Sequence, residues 1–384
     1  MSRKIAIVGN GAQSMIDFRS SLISCLVKQG GQVLALAPDH TKESRHILRS
    51  LGAFPIDYTL QRSGIDPIAD IRTIIELRRT LVEHRPDAIL AYFIKPAIYG
   101  SLAAWLARVP RRIAMLEGLG YGFAEGNDKP FRQRIAAAFM KALMRISFRR
   151  VDAAFVLNSD DREVLQRISG LPSSKVLNIG GIGVELDRFA PMPVAKPAKV
   201  FVMAARLIRE KGVVEYVEAA REIKRQYPSA RFLLLGEIDD NPSSLTKAQI
   251  ERWVEEGVVE WPGRVTDIGA WLSRADVFVL PSYYREGVPR SIQEAMALGR
   301  PVITTDHIGC RDTVDHGVNG FLIPIQNVPA LVTAMEHFLV NDELGVQMGR
   351  ESRRLAEERF DARRVDALIA DWLTAATQPV LASA

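Results

Sequence analysis

Cysteine is nearly absent: Cys25 and Cys310 are the only two among 384 residues. So few thiols argue against a disulfide framework and fit a reducing compartment. The chain also lacks any run of about eighteen apolar residues, so no bilayer-crossing helix is expected. Residues Lys4 to Val8 already read as a strand, and no secretory leader is expected ahead of them. The six histidines show no metal-ligand spacing, and no Asp-x-Asp pair stands in a plausible donor site. Asp160-Asp161 and Asp239-Asp240 read instead as helix-start and loop acids. No metal site is expected. Internal repeats and low-complexity tracts are missing as well. What remains is an ordinary globular composition, 47% hydrophobic and 25% charged, long enough for two domains.

The formal net charge of +5 conceals an asymmetry. Residues 1–190 hold 27 Lys and Arg against 18 Asp and Glu, whereas the remainder holds 23 against 27. A basic half joined to an acidic half implies that the first half faces something anionic.

Apolar runs of strand length alternate with amphipathic helical patterns. Strands are expected at Ile5 to Val8, Val33 to Ala37, Ala88 to Tyr92, Arg112 to Leu116 and Ala153 to Leu157. The series restarts with Val200 to Ala204, Ala230 to Leu235, Val258 to Trp261, Val277 to Leu280 and Pro301 to Thr304. Helices such as Ser14 to Gln29 and Ile68 to Glu83 fit between them. This alternation predicts an α/β protein of two doubly wound parallel-sheet, Rossmann-like domains facing a central cleft. Three prolines between Pro191 and Pro197 mark a stiff linker. The expected division is therefore residues 1–190, a linker at 191–198, a second domain at 199–360, and a last helix within 361–384 that returns to the first domain.

The chemistry concentrates past the strand ends of the second half. Residues 276–306 read as a strand, a loop with Glu286 and Gly287, a helix starting near Pro289, and a second strand. A helix N-terminus offers unpaired N–H groups and a positive pole, which suit a phosphate. Glu286 and Glu294 beside it suit hydroxyls. A nucleotide sugar carries both kinds of group. Arg206, just past another strand, and Lys211, one loop further, make a clamp for a diphosphate leaving group. In the first half, Gly9-Asn-Gly11 could form a phosphate-approaching turn, but Ser14 replaces the third glycine of a dinucleotide fingerprint. Asp39 follows the second strand, so a nicotinamide enzyme stays open from this half alone.

Together, Arg206, Lys211-Gly212, Glu286-Gly287 and Glu294 resemble the retaining glycosyltransferases of family 4, which have the two-domain GT-B fold. Gly183-Val-Glu-Leu-Asp187-Arg-Phe189 and Asn319-Gly320-Phe-Leu-Ile-Pro324 resemble the same family. In the first half, Ser14 to Arg19, Ile94-Lys95-Pro96 and Gly118-Leu-Gly120-Tyr121 resemble a bacterial branch acting on polyprenyl-linked glycans. The resemblance implies that Arg206 and Lys211 neutralise the donor diphosphate and that Glu286 lies against the donor hexose. Glu294 would bind the ribose hydroxyls, and the backbone N–H groups around Val288, Arg290 and Ser291 the distal phosphate. Pro289 would take the first helical position. Gly263 and Arg264 would edge the base pocket, and Gly11 would lie near the donor. Lys95, Glu117 and Tyr121 would form the acceptor side. Many relatives place a His after the fourth strand, and this chain has Glu117 there instead. Glu117 then orients the acceptor hydroxyl, touches the sugar, or merely bonds to the glycine loop.

Residues 129–150 hold seven basic residues and no acid. Phe131, Ile135, Phe139, Ala142, Leu143 and Ile146 recur at helical spacing, giving an apolar stripe with Arg and Lys on the other faces. Such a helix suits an anionic membrane surface or a lipid-linked diphosphate, or else packs its stripe on its own domain. Nucleic acid is not expected, because aromatic interleaving and recognition motifs are missing. The expectation is a cytoplasmic, peripherally membrane-associated hexosyltransferase, working at the inner face of the bacterial cytoplasmic membrane. It would move a hexose or N-acetylhexosamine from a UDP-sugar to a polyprenyl-diphosphate-linked saccharide, without metal or cofactor. A sugar-nucleotide epimerase of the same fold and a catalytically silent UDP-sugar-binding scaffold are the alternatives.

Overall fold

The structure is a computed structural model that describes residues 3–61, 64, 66–119, 131–191, 199–238 and 243–375, with the backbone alone for 131–137. It divides into two compact units, Met1–Ile182 with Ala362–Ala384, and Gly183–Asp361.

The first unit opens with β1 (Lys4–Val8), α1 (Ala12–Lys28), β2 (Gln32–Ala37), α2 (Lys42–Ser50), β3 (Ala53–Asp57) and α3 (Pro67–His84). It continues with β4 (Ala88–Tyr92), α4 (Ile94–Leu106), β5 (Arg111–Leu116), α5 (Phe131–Phe148), β6 (Ala153–Val156), α6 (Ser159–Ser169) and β7 (Val176–Asn178). The described strands make one parallel sheet in the order β3-β2-β1-β4-β5-β6-β7. Ile5 to Val8 and Ala88 to Tyr92 are fully buried. A parallel sheet covered on both faces hides every position, which is why these strands read as continuous apolar runs. Two strands escape the apolar-run reading. Ala53-Phe-Pro-Ile-Asp57 has an exposed Phe54 and a proline, tolerated because β3 is an edge, and β7 has only three residues. Local chemistry sets the helix starts: Asp66 accepts from the Ile68 and Ala69 N–H groups at 3.0 and 3.2 Å, ahead of Pro67 at the first helical position.

The second unit runs β8 (Val200–Ala204), α7 (Val213–Gln226), β9 (Arg231–Leu235), α8 (Lys247–Glu255), β10 (Glu260–Gly263) and α9 (Ile268–Leu272). It continues with β11 (Val277–Leu280), α10 (Arg290–Ala297), β12 (Val302–Thr305), β13 (Gly320–Ile323), α11 (Val328–Val340) and α12 (Asp342–Arg359). Its described strands form a parallel sheet, β10-β9-β8-β11-β12-β13. The order reverses between β8 and β11, and ligands collect beyond the carboxyl ends at such a switch point. Gly320 to Ile323, which the sequence reading leaves after the last strand, is β13. Its mixed burial hides it from an apolar-run search.

The last helix, α13 (Ala362–Thr374), belongs to the first unit and packs on α1. There Trp372 meets Phe155 edge-on at 6.0 Å, and its carbonyl accepts from Arg111 Nη1 at 2.7 Å. Of the expected linker, residues 192–198 lie outside the described residues. Gly183 to Ala190 already belong to the second unit, ahead of the prolines. Val184 N–H donates to the Phe360 carbonyl at 2.8 Å, and Arg353 Nη1 ties the carbonyls of Phe189 and Ala297 at 2.9 and 2.7 Å.

Candidate active site

In the second unit, the chain leaves β8 past Arg206 and makes a 3-10 turn over Arg209–Lys211 that ends at Gly212, whose φ is 78°. A Cβ there would stand 2.1 Å from the Pro281 carbonyl oxygen. Glycine thus lets this turn press against the loop that follows β11. The Glu210 carbonyl then accepts from the Tyr283 and Tyr284 N–H groups at 2.8 and 2.9 Å and from Ser282 Oγ at 3.3 Å. That lashing brings Lys211 Nζ into an ion pair with Glu286 Oε1, their side chains only 13% and 10% exposed. Ser282 Oγ donates to the same carboxylate oxygen at 3.0 Å. The Arg206 guanidinium and the Lys211 ammonium lie 5.9 and 5.4 Å from the Tyr284 ring centroid, within cation–π range. Arg206, Lys211 and Glu286 therefore gather at the carboxyl ends of β8 and β11. Ser282 and Tyr284 are missing from the sequence reading, although their place directly after a buried strand was the available signal.

Behind Glu286, Gly309 has a φ of 76°, and a Cβ there would lie 2.1 Å from the Gly287 carbonyl oxygen. The loop after β12 thus backs the Glu286-Gly287 turn at van der Waals distance. Cys310 is buried beside it. Burial first, and then the Glu286 charge, push its thiol up to about 12.

Pro289 is the N-cap of α10, not its first helical residue as the sequence reading had it, and no side chain caps that end. Pro289 has an extended ψ of 120°, which a first helical residue lacks. Arg290 and Ser291 begin the helix, and Gln293 Nε2 donates to the Val288 carbonyl at 3.1 Å. One turn on, Glu294 Oε1 accepts from Arg290 Nε at 3.0 Å, both side chains largely buried. The two carboxylates thus each carry a cation, and the first turn of α10 rises between them in sequence. Gly263 ends β10, its carbonyl accepting from Gly236 N–H at 3.0 Å. Arg264 makes an exposed ion pair with Glu237 at 3.3 Å.

In the first unit, Glu117 follows β5 and pairs with Arg19 of α1, the side chains being 8% and 2% exposed. The Arg19 guanidinium also lies 4.5 Å from the Tyr92 ring centroid and donates to the Phe18 carbonyl at 2.7 Å. So deep a charge needs this partner, and the sequence reading did not foresee it. Lys95 Nζ is tethered to the Gln61 carbonyl at 2.7 Å and to Asp70 Oδ1 at 3.4 Å. Tyr121 lies outside the described residues, as does Gly120. Gly11 is the N-cap of α1, where Asp39 Oδ1 accepts from Ala12 N–H at 2.6 Å. A carboxylate thus occupies the helix end a cofactor phosphate would need. A Cβ on Gly9 would stand 2.2 Å from the Tyr92 hydroxyl, so glycine lets the Tyr92 side chain pack against the turn after β1.

Comparison with known proteins bears on the family and the fold. Residues 198–341 match the family described as Glycosyl transferases group 1, and residues 18–180 match the Glycosyl transferase 4-like domain. The chain is 28% identical to an N,N'-diacetylbacillosaminyl-diphospho-undecaprenol alpha-1,3-N-acetylgalactosaminyltransferase of Campylobacter jejuni, over 94% of this chain and 96% of that protein. It is 26% identical to a UDP-Gal:alpha-D-GlcNAc-diphosphoundecaprenol alpha-1,3-galactosyltransferase of Escherichia coli, over 79% of each. Among solved structures, Anabaena HepE in complex with UDP-glucose superposes with a TM-score of 0.75 at 18% identity, covering 97% of this chain and 99% of that one. The chain belongs to the family 4 glycosyltransferases of the GT-B fold.

Proposed function

We propose that this glycosyltransferase moves a hexose or N-acetylhexosamine, with retention, from a UDP-sugar to a polyprenyl-diphosphate-linked saccharide. The observation that carries the reading is the Lys211–Glu286–Ser282 cluster, with Arg206 close by and the uncapped start of α10 next in the chain. Cations near a helix N-terminus suit a diphosphate. The activities of the Campylobacter and Escherichia relatives support the acceptor class.

When donor binds, Lys211 and Arg206 turn to the diphosphate and neutralise the charge that builds on the leaving UDP. Lys211 thereby releases Glu286, which accepts from the hexose hydroxyls. Glu294, oriented by Arg290, takes the ribose hydroxyls. The distal phosphate rests on the N–H groups near Val288, Arg290 and Ser291. We assign charge neutralisation to these side chains, so the transfer runs without metal. Retention follows a same-face route in which the departing phosphate takes the proton of the acceptor hydroxyl while that oxygen forms the new glycosidic bond. Glu117, paired with Arg19, serves the acceptor side together with Lys95.

The enzyme works on the membrane surface. No helix among the described residues is long and apolar enough to cross a bilayer. Instead, α5 exposes Phe139 and Ile146, with Lys141, Arg145 and the following Arg149 also exposed, while Met140, Met144 and Phe148 face the core. Of the expected stripe, Phe139, Ala142 and Ile146 are exposed, Leu143 packs against the core, and the side chains of Phe131 and Ile135 lie outside the described residues. The exposed part supports docking on anionic lipid at the inner face of the cytoplasmic membrane. Incubating the protein with a panel of UDP-sugars and a lipid-diphosphate acceptor, with and without chelator, tests this function. Acceptor-dependent UDP release that survives chelation is expected. Donor consumption without acceptor would point to an epimerase, and binding without turnover to a scaffold.

A further inference from the structure

A second amphipathic face lies in the same unit. Helix α3 buries Ile74, Leu77 and Leu81 in the core and packs on α4, yet its other side exposes Ile68 (65%), Ile71 (57%), Ile75 (43%) and Val82 (47%). At about 100° per residue these four fall within an arc of about 60°. Arg72 and Arg79 border that arc on one flank and Arg78 on the other, all exposed. An apolar stripe edged by arginines describes a helix lying in a membrane interface.

Topology sets this stripe on the same side as the basic helix. The crossovers from β3 to β4, β4 to β5 and β5 to β6 all step in one direction along the sheet. Right-handed connections then place α3, α4 and α5 on one face. Between the outer two, α4 exposes Trp105 at its end, with the guanidinium of Arg150, in the turn after α5, 4.6 Å from its ring centroid. A second copy of the chain fits this surface poorly, since a two-fold contact would set the three arginines against their own copies.

We propose that α3 is a second membrane anchor, its isoleucine stripe entering the acyl boundary of an anionic bilayer while Arg72, Arg78 and Arg79 meet lipid phosphates. The proposal rests on the membrane association argued above and adds an apolar, salt-resistant component to it. Flotation with vesicles of phosphatidylglycerol and phosphatidylcholine separates the two. The Ile71→Asp/Ile75→Asp protein, altered only at exposed positions, is expected to float about tenfold less at both low and high salt. Its melting temperature and its activity on a water-soluble, short-chain acceptor should match wild type. Arg145→Glu/Arg149→Glu should weaken flotation at low salt alone. If the isoleucine variant floats like wild type while the α5 variant does not, the α3 anchor is refuted and docking through α5 stands. If wild type itself fails to float, both readings fall. Dimerisation of wild type in sedimentation velocity that the isoleucine variant loses, with flotation unchanged, would assign the stripe to a second copy instead.

Discussion

Replacing Lys211 with alanine removes the ammonium that pairs with Glu286 in the ligand-free protein and that we assign to the donor diphosphate. Two costs follow, and they are separable. For catalysis, one preorganised charged donor aimed at a developing negative charge is worth about 100- to 1,000-fold in kcat, or about 3–4 kcal/mol. For stability, Glu286 loses its lysine partner at a side-chain exposure of 10% and keeps the bond from Ser282. A fully buried broken pair costs about 3–5 kcal/mol, and partial access to water should reduce that to about 1–2 kcal/mol. Adding Glu286→Gln in the same chain removes the orphaned charge and should restore most of the melting temperature without restoring turnover. Lys211→Arg keeps the charge but not the compact geometry, and should fall between. The assay is steady-state transfer from a UDP-sugar to a lipid-diphosphate acceptor, below the melting transition of every variant. A kcat for Lys211→Ala within about threefold of wild type would refute the clamp.

Other consequences are as direct. Glu294→Ala removes the proposed ribose contact and should weaken UDP binding by calorimetry by about 1.5–3 kcal/mol, and unchanged affinity would move the ribose elsewhere. Arg19→Met strands the Glu117 carboxylate, so chemical denaturation should show a loss of about 3–5 kcal/mol, with a smaller loss for Arg19→Met/Glu117→Leu. A buried thiol pushed up to about 12 stays protonated at ordinary pH, so Cys310 should resist iodoacetamide at pH 8 until the protein unfolds. Prompt alkylation of the native protein by mass spectrometry would contradict that packing.

The parallel sheets were legible because their central strands are buried on both faces and their apolar runs are uninterrupted. Most edges were not: Pro55 and the exposed Phe54 disguise β3, and the half-buried Phe321 and Leu322 disguise β13, whereas β10 was expected two residues early. In the candidate site, the places of Arg206, Lys211 and Glu286 just past strand ends, and of Glu294 on the helix after one, are visible in the sequence. Their ligand-free partners are not, because which cation meets which carboxylate depends on loops such as the one Gly212 permits. Arg19 and Glu117 sit far apart in sequence, and nothing local in either segment announces the contact. The basic helix teaches a further point. Residues 138–148 carry apolar side chains on two faces, and periodicity alone selected Phe139 and Ile146 where packing selected Met140, Met144 and Phe148.

Transfer itself is the defining chemical event. The direct measurement is proton NMR of the product formed from a UDP-sugar and a polyprenyl-diphosphate-linked saccharide, read at the anomeric proton. The account predicts a new glycosidic linkage with the donor's α configuration, formed with UDP release only when acceptor is present. A β-linked product would contradict retention, and a UDP-sugar altered without acceptor would contradict glycosyl transfer.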